Sequence, residues 1–308
     1  MDLKHLQSFI RIVEFGSLTR AAATLDVSQS LLSRQVRQLE MELGTHLLER
    51  NGRGVSATEA GRQLVEHGRG ILRQVEVARL QLGQARGAQG GKLAIGLPPS
   101  VGALLTVDLV MRFRERYPAA QISVVEGLSA SLLEWLQLGR LDCALLYNPP
   151  VNTNMRYRHV HSEPLYLIGS PRSGRDLPDS VPLATLGDYP IVIPSQLHSV
   201  RQLIEADAAR YGVSLDITLE IDSVRSLLDL VERGVGYGVL SRNAVLARRG
   251  AHGLRAAPIV KPNIVTRLVV ATPTQRPVST ITERTLELVD EAIARGILDP
   301  TFGAIPDA

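Results

Sequence analysis

The chain lacks most of what marks secreted, membrane-bound or metal-dependent proteins. Its 308 residues hold one cysteine, Cys143, so no disulfide framework forms within the chain, and a reducing cytoplasm is the expected setting. Nowhere is the sequence apolar for long enough to cross a bilayer. The opening segment "MDLKHLQSFIRIVEFGSLTR" carries a charge every few positions, which argues against both a signal peptide and a membrane span. Internal repeats are missing, as are a Gly-x-Ser-x-Gly elbow, a phosphate-binding Gly-Lys-Ser/Thr loop and any visible catalytic triad. The seven histidines are scattered; His159 and His161 alternate as strand residues do and make a poor zinc site. Cys143 sits in the apolar stretch "CALLY" and reads as packed, not redox-active, with no second cysteine to resolve an oxidation. Strong charge of one sign is lacking too, since the formal net charge is only +3.

The distribution of that charge is more informative than its sum. Residues 1–92 hold 13 Lys/Arg against 9 Asp/Glu, a surplus of 4, whereas residues 93–308 hold 21 against 22. The basic excess therefore lies in the first third, which suits phosphate binding as well as it suits a solvated surface. The composition is that of a soluble globular protein, and the length allows two or three compact units.

Leu3, Leu6, Phe9, Ile10 and Val13 recur at helical spacing over residues 3–15. Gly16 stops that helix and Ser17 can cap a short alanine-rich second one, "SLTRAAATL". After "DVS", Ser28 can cap a third helix running to Gly44, with Leu32, Val36, Leu39 and Leu43 facing the core. Two short helices joined by a tight turn and packed on a first helix make a helix-turn-helix. Residues 45–57 are short, basic and broken by Gly52 and Gly54, as a two-stranded wing requires. Thr58 can then cap a long helix reaching roughly to Gln84. On it Leu64, Gly68, Ile71, Val75, Ala78 and Leu82 form a coiled-coil seam, weak at Gly68. Because nothing small and apolar nearby is available to cover this seam, it is expected to face a partner chain. "GQARGAQGG" (83–91) is a flexible linker by composition.

Beyond the linker the pattern changes to strands alternating with helices. "KLAIGL", "AQISVVEG" and "LDCALLY" read as strands separated by helices, hence a parallel α/β sheet. A second α/β unit follows, built from "PLYLIGSP", "YPIVIPS", "LDITLEI" and "GYGVLS" with helices between them. "RLVVATP" is a late strand, and a helix over about 279–295 returns to the first unit.

With its core positions turned inward, the third helix shows Gln29, Ser30, Ser33, Arg34 and Arg37 outward. Arginine can pair bidentately with guanine and glutamine with adenine, and the first turns of such a helix point at base edges. Arg50 and Arg53 in the wing can hold phosphates or enter a narrow minor groove. A polar helix alone would read as a solvated surface. Cap, turn, polar face, basic wing and seam in that order read as a nucleic-acid reader.

The stretch "LQSFIRIVEFGSLTRAAATLDVSQSLLSRQVRQLEMELGTHLLERNGRGVSATEAG" resembles the winged helix-turn-helix of LysR-type transcriptional regulators. The α/β units resemble that family's effector domain, itself similar to type 2 periplasmic binding proteins, with "GRLDCALLY" and "LVERGVGYGVL" matching its strand ends and glycines. "EIDSVRSLLDLVERGVGYGVL" looks closest to the branch containing nitrogen assimilation regulators. The resemblance implies a winged helix-turn-helix domain over 1–60, a linker dimerisation helix and hinge over 58–91, and an effector-binding domain over 92–308. The last divides into subdomain I (about 92–163 and 268–308) and subdomain II (about 164–267). It further implies a bacterial, cytoplasmic, non-enzymatic regulator that binds double-stranded DNA and a small-molecule co-inducer and needs no other cofactor. Its chains would pair through the linker helix into a dimer and then a tetramer, with RNA polymerase as a further partner. Ser28 and Thr58, the two caps at the DNA side, complete the implied DNA-binding set. Two positions depart from the family pattern: Ser30 stands where proline is usual and Leu48 where phenylalanine is frequent. The first gives up a pre-set φ for a hydroxyl near the DNA.

In a parallel sheet the ligand crevice opens at the carboxyl ends of the strands, where helix N-termini favour an anion. Ser100, Ser129 and Ser199 each stand at a predicted strand-to-helix junction, as N-caps or as ligand contacts, and His198, Arg201 and Asn148 lie nearby in sequence. The expected effector is a small anionic or polar metabolite. Two other classes fit less well. A solute-binding protein leaves the first 90 residues unexplained, and a cleft enzyme lacks a nucleophile or an acid/base pair.

Overall fold

The computed structural model of the chain describes residues 1–51, 54–84, 91–247 and 253–298. Backbone contacts divide it into two units, residues 1–88 with 138–140, and the remainder.

In the first unit α1 (Leu3–Phe15), α2 (Leu18–Leu25) and α3 (Gln29–Leu43) are followed by the hairpin β1 (Leu48–Asn51) and β2 (Gly54–Ala57), then by the 26-residue α4 (Glu59–Gln84). Local chemistry sets each boundary. Asp2, Ser17 and Ser28 accept backbone N–H groups at the starts of α1, α2 and α3, while Gly16 and Gly44 take left-handed φ at the ends of α1 and α3. Ile12, Leu18, Ala21, Ala22, Leu32 and Val36 form one core cluster, and Leu6, Phe9, Ile10, Leu39, Leu47 and Val65 a second. Leu43 departs from its expected core position: it is 43% exposed, because the left-handed turn at Gly44 ends α3 before another turn can cover it.

In the second unit β3 (Lys92–Leu97), α5 (Pro99–Arg116), β4 (Gln121–Glu126), α6 (Ser129–Gln137) and β5 (Cys143–Tyr147) alternate as the sequence predicts. The long β6 (Met155–Gly169) follows, then β7 (Val181–Pro182), β8 (Ile191–Ile193), α7 (Ser199–Arg210), β9 (Ile217–Glu220) and α8 (Val224–Glu232). The unit closes with β10 (Tyr237–Ser241), α9 (Arg242–Leu246), β11 (Arg255–Val260), β12 (Val265–Pro273) and α10 (Thr280–Ala294). The strand order is β4-β3-β5-β12-β6-β10-β8-β9, with β11 also pairing β6 and β7 pairing β11.

β3 pairs parallel with β4 and β5, and β8 with β9 and β10. The sheet as a whole is mixed, however. β12 runs antiparallel to both β5 and β6, and β6 antiparallel to β10. β6 therefore serves both halves: Met155–Pro164 pair with β12, and Leu165–Ile168 with β10. Each half buries apolar side chains on both faces of its strands. In α5, Val101, Leu105, Leu109 and Phe113 repeat every four residues and are fully buried, each contributing about 1.5–3 kcal/mol of transfer free energy. α10 returns to the first half, where Leu288, Val289 and Ala292 join the α5 cluster. β7 and α9 are too short, at two and five residues, for a periodic signal, and Pro258 interrupts the six-residue β11.

Candidate nucleic-acid interface and ligand cleft

The outward face of α3 is built by what its other faces bury. With Leu32, Val36 and Leu39 inside, Gln29, Ser30, Arg34 and Arg37 are exposed and Ser33 is half-buried. Gln29 accepts a bond from the Thr19 hydroxyl at 3.4 Å, and the Ser28 and Ser30 hydroxyls lie 3.0 Å apart. Ser28 Oγ also accepts the Leu31 N–H at 3.2 Å, so its place is that of a cap. Arg34 and Arg37 make no hydrogen bond or ion pair to the protein among the described residues. Two free guanidinium groups beside amide and hydroxyl groups suit a groove that presents both donors and acceptors.

The wing is fastened at both ends. Val55 N–H donates to Gly16 O at 3.0 Å, and a Cβ at Gly54 (φ +141°) would lie 2.4 Å from that carbonyl, so only glycine permits the approach. At the root, Glu40 on α3 accepts the backbone N–H groups of Leu47 (2.8 Å) and Leu48 (3.4 Å), which fixes the wing to α3. Sequence reasoning did not single out Glu40, because a carboxylate on an otherwise polar helix gives no sign of what it will reach. Thr58 accepts the Gly61 N–H at 3.0 Å and donates to His46 O at 2.8 Å, joining the root of the wing to α4. Arg50 lies on β1 in register with Val55, and Arg53 lies outside the described residues.

The first two positions of the seam on α4 have an occupant already. Gly68 is buried against α1, where an added Cβ would stand 2.7 Å from Leu6 Cδ1 and 3.0 Å from Ile10 Cδ1. Leu64 packs on the same cluster. The expectation that nothing nearby could cover the seam therefore fails at its first two positions. The weak member is a close helix–helix contact within the chain. Ile71 and Ala78 remain exposed and Val75 half-buried, while linker residues 85–90 lie outside the described residues.

In the second unit α5, α6 and α7 begin at the carboxyl ends of β3, β4 and β8. Their first turns bring Ser100, Ser129 and Ser199 to the wall of one small cavity, together with His198, Tyr147 and Ser241. None of the three serines is the residue that caps its helix. Ser129 Oγ instead accepts the Tyr147 N–H at 2.9 Å, tying α6 to the end of β5. His198 caps α7 with Nδ1, which accepts the Val200 N–H at 3.2 Å, so the neutral ring carries its proton on Nε2 and offers a donor there. Burial holds the His198 imidazole below its ordinary pKa, with the Asp222 carboxylate pulling weakly the other way.

Arg201 and Asn148 stand elsewhere. Arg201 is buried along α7, paired with Glu205 (2.6 Å) and Glu220 (3.3 Å) and donating to Pro194 O at 3.3 Å. Asn148 donates to Thr266 Oγ1 at 2.9 Å and accepts the Arg267 N–H at 2.8 Å, which joins the end of β5 to β12.

Behind the cavity lies a polar cluster that the sequence did not announce. Glu163 on β6 is 4% exposed and accepts from Tyr147 Oη (2.9 Å), Asn243 Nδ2 (3.0 Å) and Asn243 N (3.0 Å). Burial, and then the Glu163 charge, push the Tyr147 phenol far above its ordinary pKa, so it remains a donor. Ser241 could have been found by the strand-end rule, since it closes β10 in the same way that Ser199 follows β8. Cys143 is fully buried, and among the described residues no cluster of His, Cys, Asp and Glu could hold a metal ion. Among them, too, no helix is long and apolar enough to cross a membrane.

Comparison with known proteins places both units. Residues 3–62 match the model for the bacterial regulatory helix-turn-helix protein, lysR family, and residues 86–294 that for the LysR substrate binding domain. The nitrogen assimilation regulatory protein nac of Klebsiella aerogenes is 34% identical over 266 residues, 86% of each chain. Its namesake from Escherichia coli K12 is 30% identical over 97% of each. OxyR of Escherichia coli K12, a DNA-binding transcriptional dual regulator, is 30% identical over 85% of this chain and 86% of its own. Among solved structures, full-length CbnR complexed with its target DNA aligns over 95% of this chain and all of the other, with a TM-score of 0.70 and 23% identity.

Proposed function

This chain belongs to the LysR family of bacterial regulatory helix-turn-helix proteins, and from that premise we propose which of its residues read DNA and what its cleft receives. It is a DNA-binding transcriptional regulator with an effector-binding domain. Arg34 and Ser33, with Gln29, Ser30 and Arg37 beside them, read base edges, and Arg50 and Arg53 hold the backbone. The observation that carries this reading is the exposed face of α3, with two guanidinium groups that no protein group engages among the described residues. Ser28 and Thr58 act as caps that aim the face and the wing.

The cleft takes a small polar or anionic molecule. Three helix N-termini and the hydroxyls of Ser100, Ser129 and Ser199 meet at one cavity whose lining, among the described residues, includes no lysine or arginine. Backbone N–H groups and hydroxyls are then what would hold an anion. The site offers a ligand contacts but no reacting group, which favours a sensor over an enzyme. The chain acts in the cytoplasm, where DNA is reached, as a dimer through the free part of the α4 seam and as a tetramer through its effector domains. The unit boundaries lie near residues 60 and 91.

Gel shifts on the upstream region of the protein's own gene test the DNA reading. Arg34→Ala is expected to cost about 1–3 kcal/mol at the preferred site and to relax its sequence preference. Unchanged selectivity in that variant would show that α3 does not read bases through Arg34.

A further inference from the structure

The cavity at Ser100 and Ser129 opens into a larger groove, and the two differ in charge. They share Pro99, Ser100, Leu128, His198, Val224 and Ala244 as lining, so one ligand can occupy both. Among the described residues, the inner cavity has no charged side chain in its wall. The groove adds, among the described residues, Glu126, Asp222 and Asp229 and one cation, Arg225. Glu126 is exposed and has no protein partner among the described residues. Asp222 accepts the Ser195 N–H at 2.9 Å, and bonds from Ser195 hold its carboxyl below the usual range, so it is a fixed negative charge.

A second observation points to a ligand in the inner part. Ser241 is 4% exposed, lines the cavity and precedes α9 without capping it, and its hydroxyl has no protein partner among the described residues. A buried hydroxyl left open toward a cavity is a group waiting for a polar contact.

We infer that the effector is a small zwitterion, an amino acid or a closely similar amine-bearing acid. Its oxyanion lies in the inner cavity among the N-termini of α5, α6 and α7 and the Ser241 hydroxyl. Its ammonium lies in the groove beside Glu126 and Asp222. This rests on the reading of the cleft given above and narrows it. A dianion would place its second negative group among those carboxylates, where like charges repel. A simple amine would leave the three helix N-termini and their serines facing no negative charge.

Isothermal titration of the purified full-length protein tests this with matched probes, the common α-amino acids and the carboxylic acids that lack only the amine. At least one amino acid is expected to bind, and its amine-free counterpart at least tenfold more weakly. Glu126→Gln, a near-isosteric change at an exposed side chain that lies over Gly102, should reduce amino-acid binding several-fold and leave carboxylate binding unchanged or improved. Asp222→Asn, which keeps an acceptor for Ser195, should act in the same direction. Ser241→Ala should weaken both classes. Carboxylates that bind as tightly as their amino acids would overturn the zwitterion while leaving an anion in the cleft. Failure of both classes to bind would overturn that broader reading as well.

Discussion

Tyr147→Phe tests the buried cluster behind the cavity. The substitution keeps the ring and removes only the hydroxyl that donates to Glu163 at 2.9 Å. Glu163 Oε1 keeps the Asn243 Nδ2 donor and Oε2 the Asn243 N–H, so the carboxylate is not stranded. A hydrogen bond to a charged acceptor is worth about 1.5–3 kcal/mol, and part of it is recovered because a buried hydroxyl no longer needs desolvating; about 1–2 kcal/mol should remain as loss. For a domain of this size that lowers the melting temperature of the effector-domain transition by roughly 2–8 °C. Differential scanning calorimetry of the full chain reads it directly. The phenol stays protonated across the working pH range, because burial and the Glu163 charge both disfavour the phenolate, so the drop should not depend on pH near neutrality. An unchanged or raised melting temperature would mean that the cluster is no stabilising link between β5, β6 and α9.

Three further outcomes are expected. Thr58→Ala loses a cap and the bond to His46 O, together about 1–3 kcal/mol of stability in the DNA-binding unit, with affinity kept when the unit is folded; lost affinity at unchanged stability in paired melting and gel-shift measurements would make Thr58 a DNA contact instead. Ile71→Asp with Val75→Asp should dissociate the dimer in sedimentation velocity, since charge would enter the part of the seam that α1 leaves open; an intact dimer places the interface elsewhere. Because His198 binds its proton less readily folded than unfolded, stability is retained above the ordinary imidazole value and lost as pH falls below it toward the depressed folded value; thermal melts between about pH 7.5 and 5 should show that slope, and His198→Gln should flatten it.

The sequence by itself determined the local elements. Ser17, Ser28, Gly16 and Gly44 are boundary signals acting within one turn of chain, and α1, α2 and α3 each begin or end where they stand. The four-residue repeat of Val101, Leu105, Leu109 and Phe113 is legible for the same reason: a helix face is a property of spacing alone. The serines at strand-to-helix junctions were visible too, because an α/β unit must place such junctions at one edge of its sheet. What needed the tertiary structure is what depends on residues far apart in the chain. Gly68 reads as a flaw in a seam until Leu6 and Ile10 are seen against it. Arg201 and Asn148 have the chemistry of ligand contacts, but Glu205, Glu220, Thr266 and Arg267 already engage them. Glu163 finds Tyr147 and Asn243 only because β6 passes through both halves of the sheet, running antiparallel to β12 and then to β10. Propensity and periodicity act over a few residues, whereas the partner that completes a buried polar group is chosen by the folded chain.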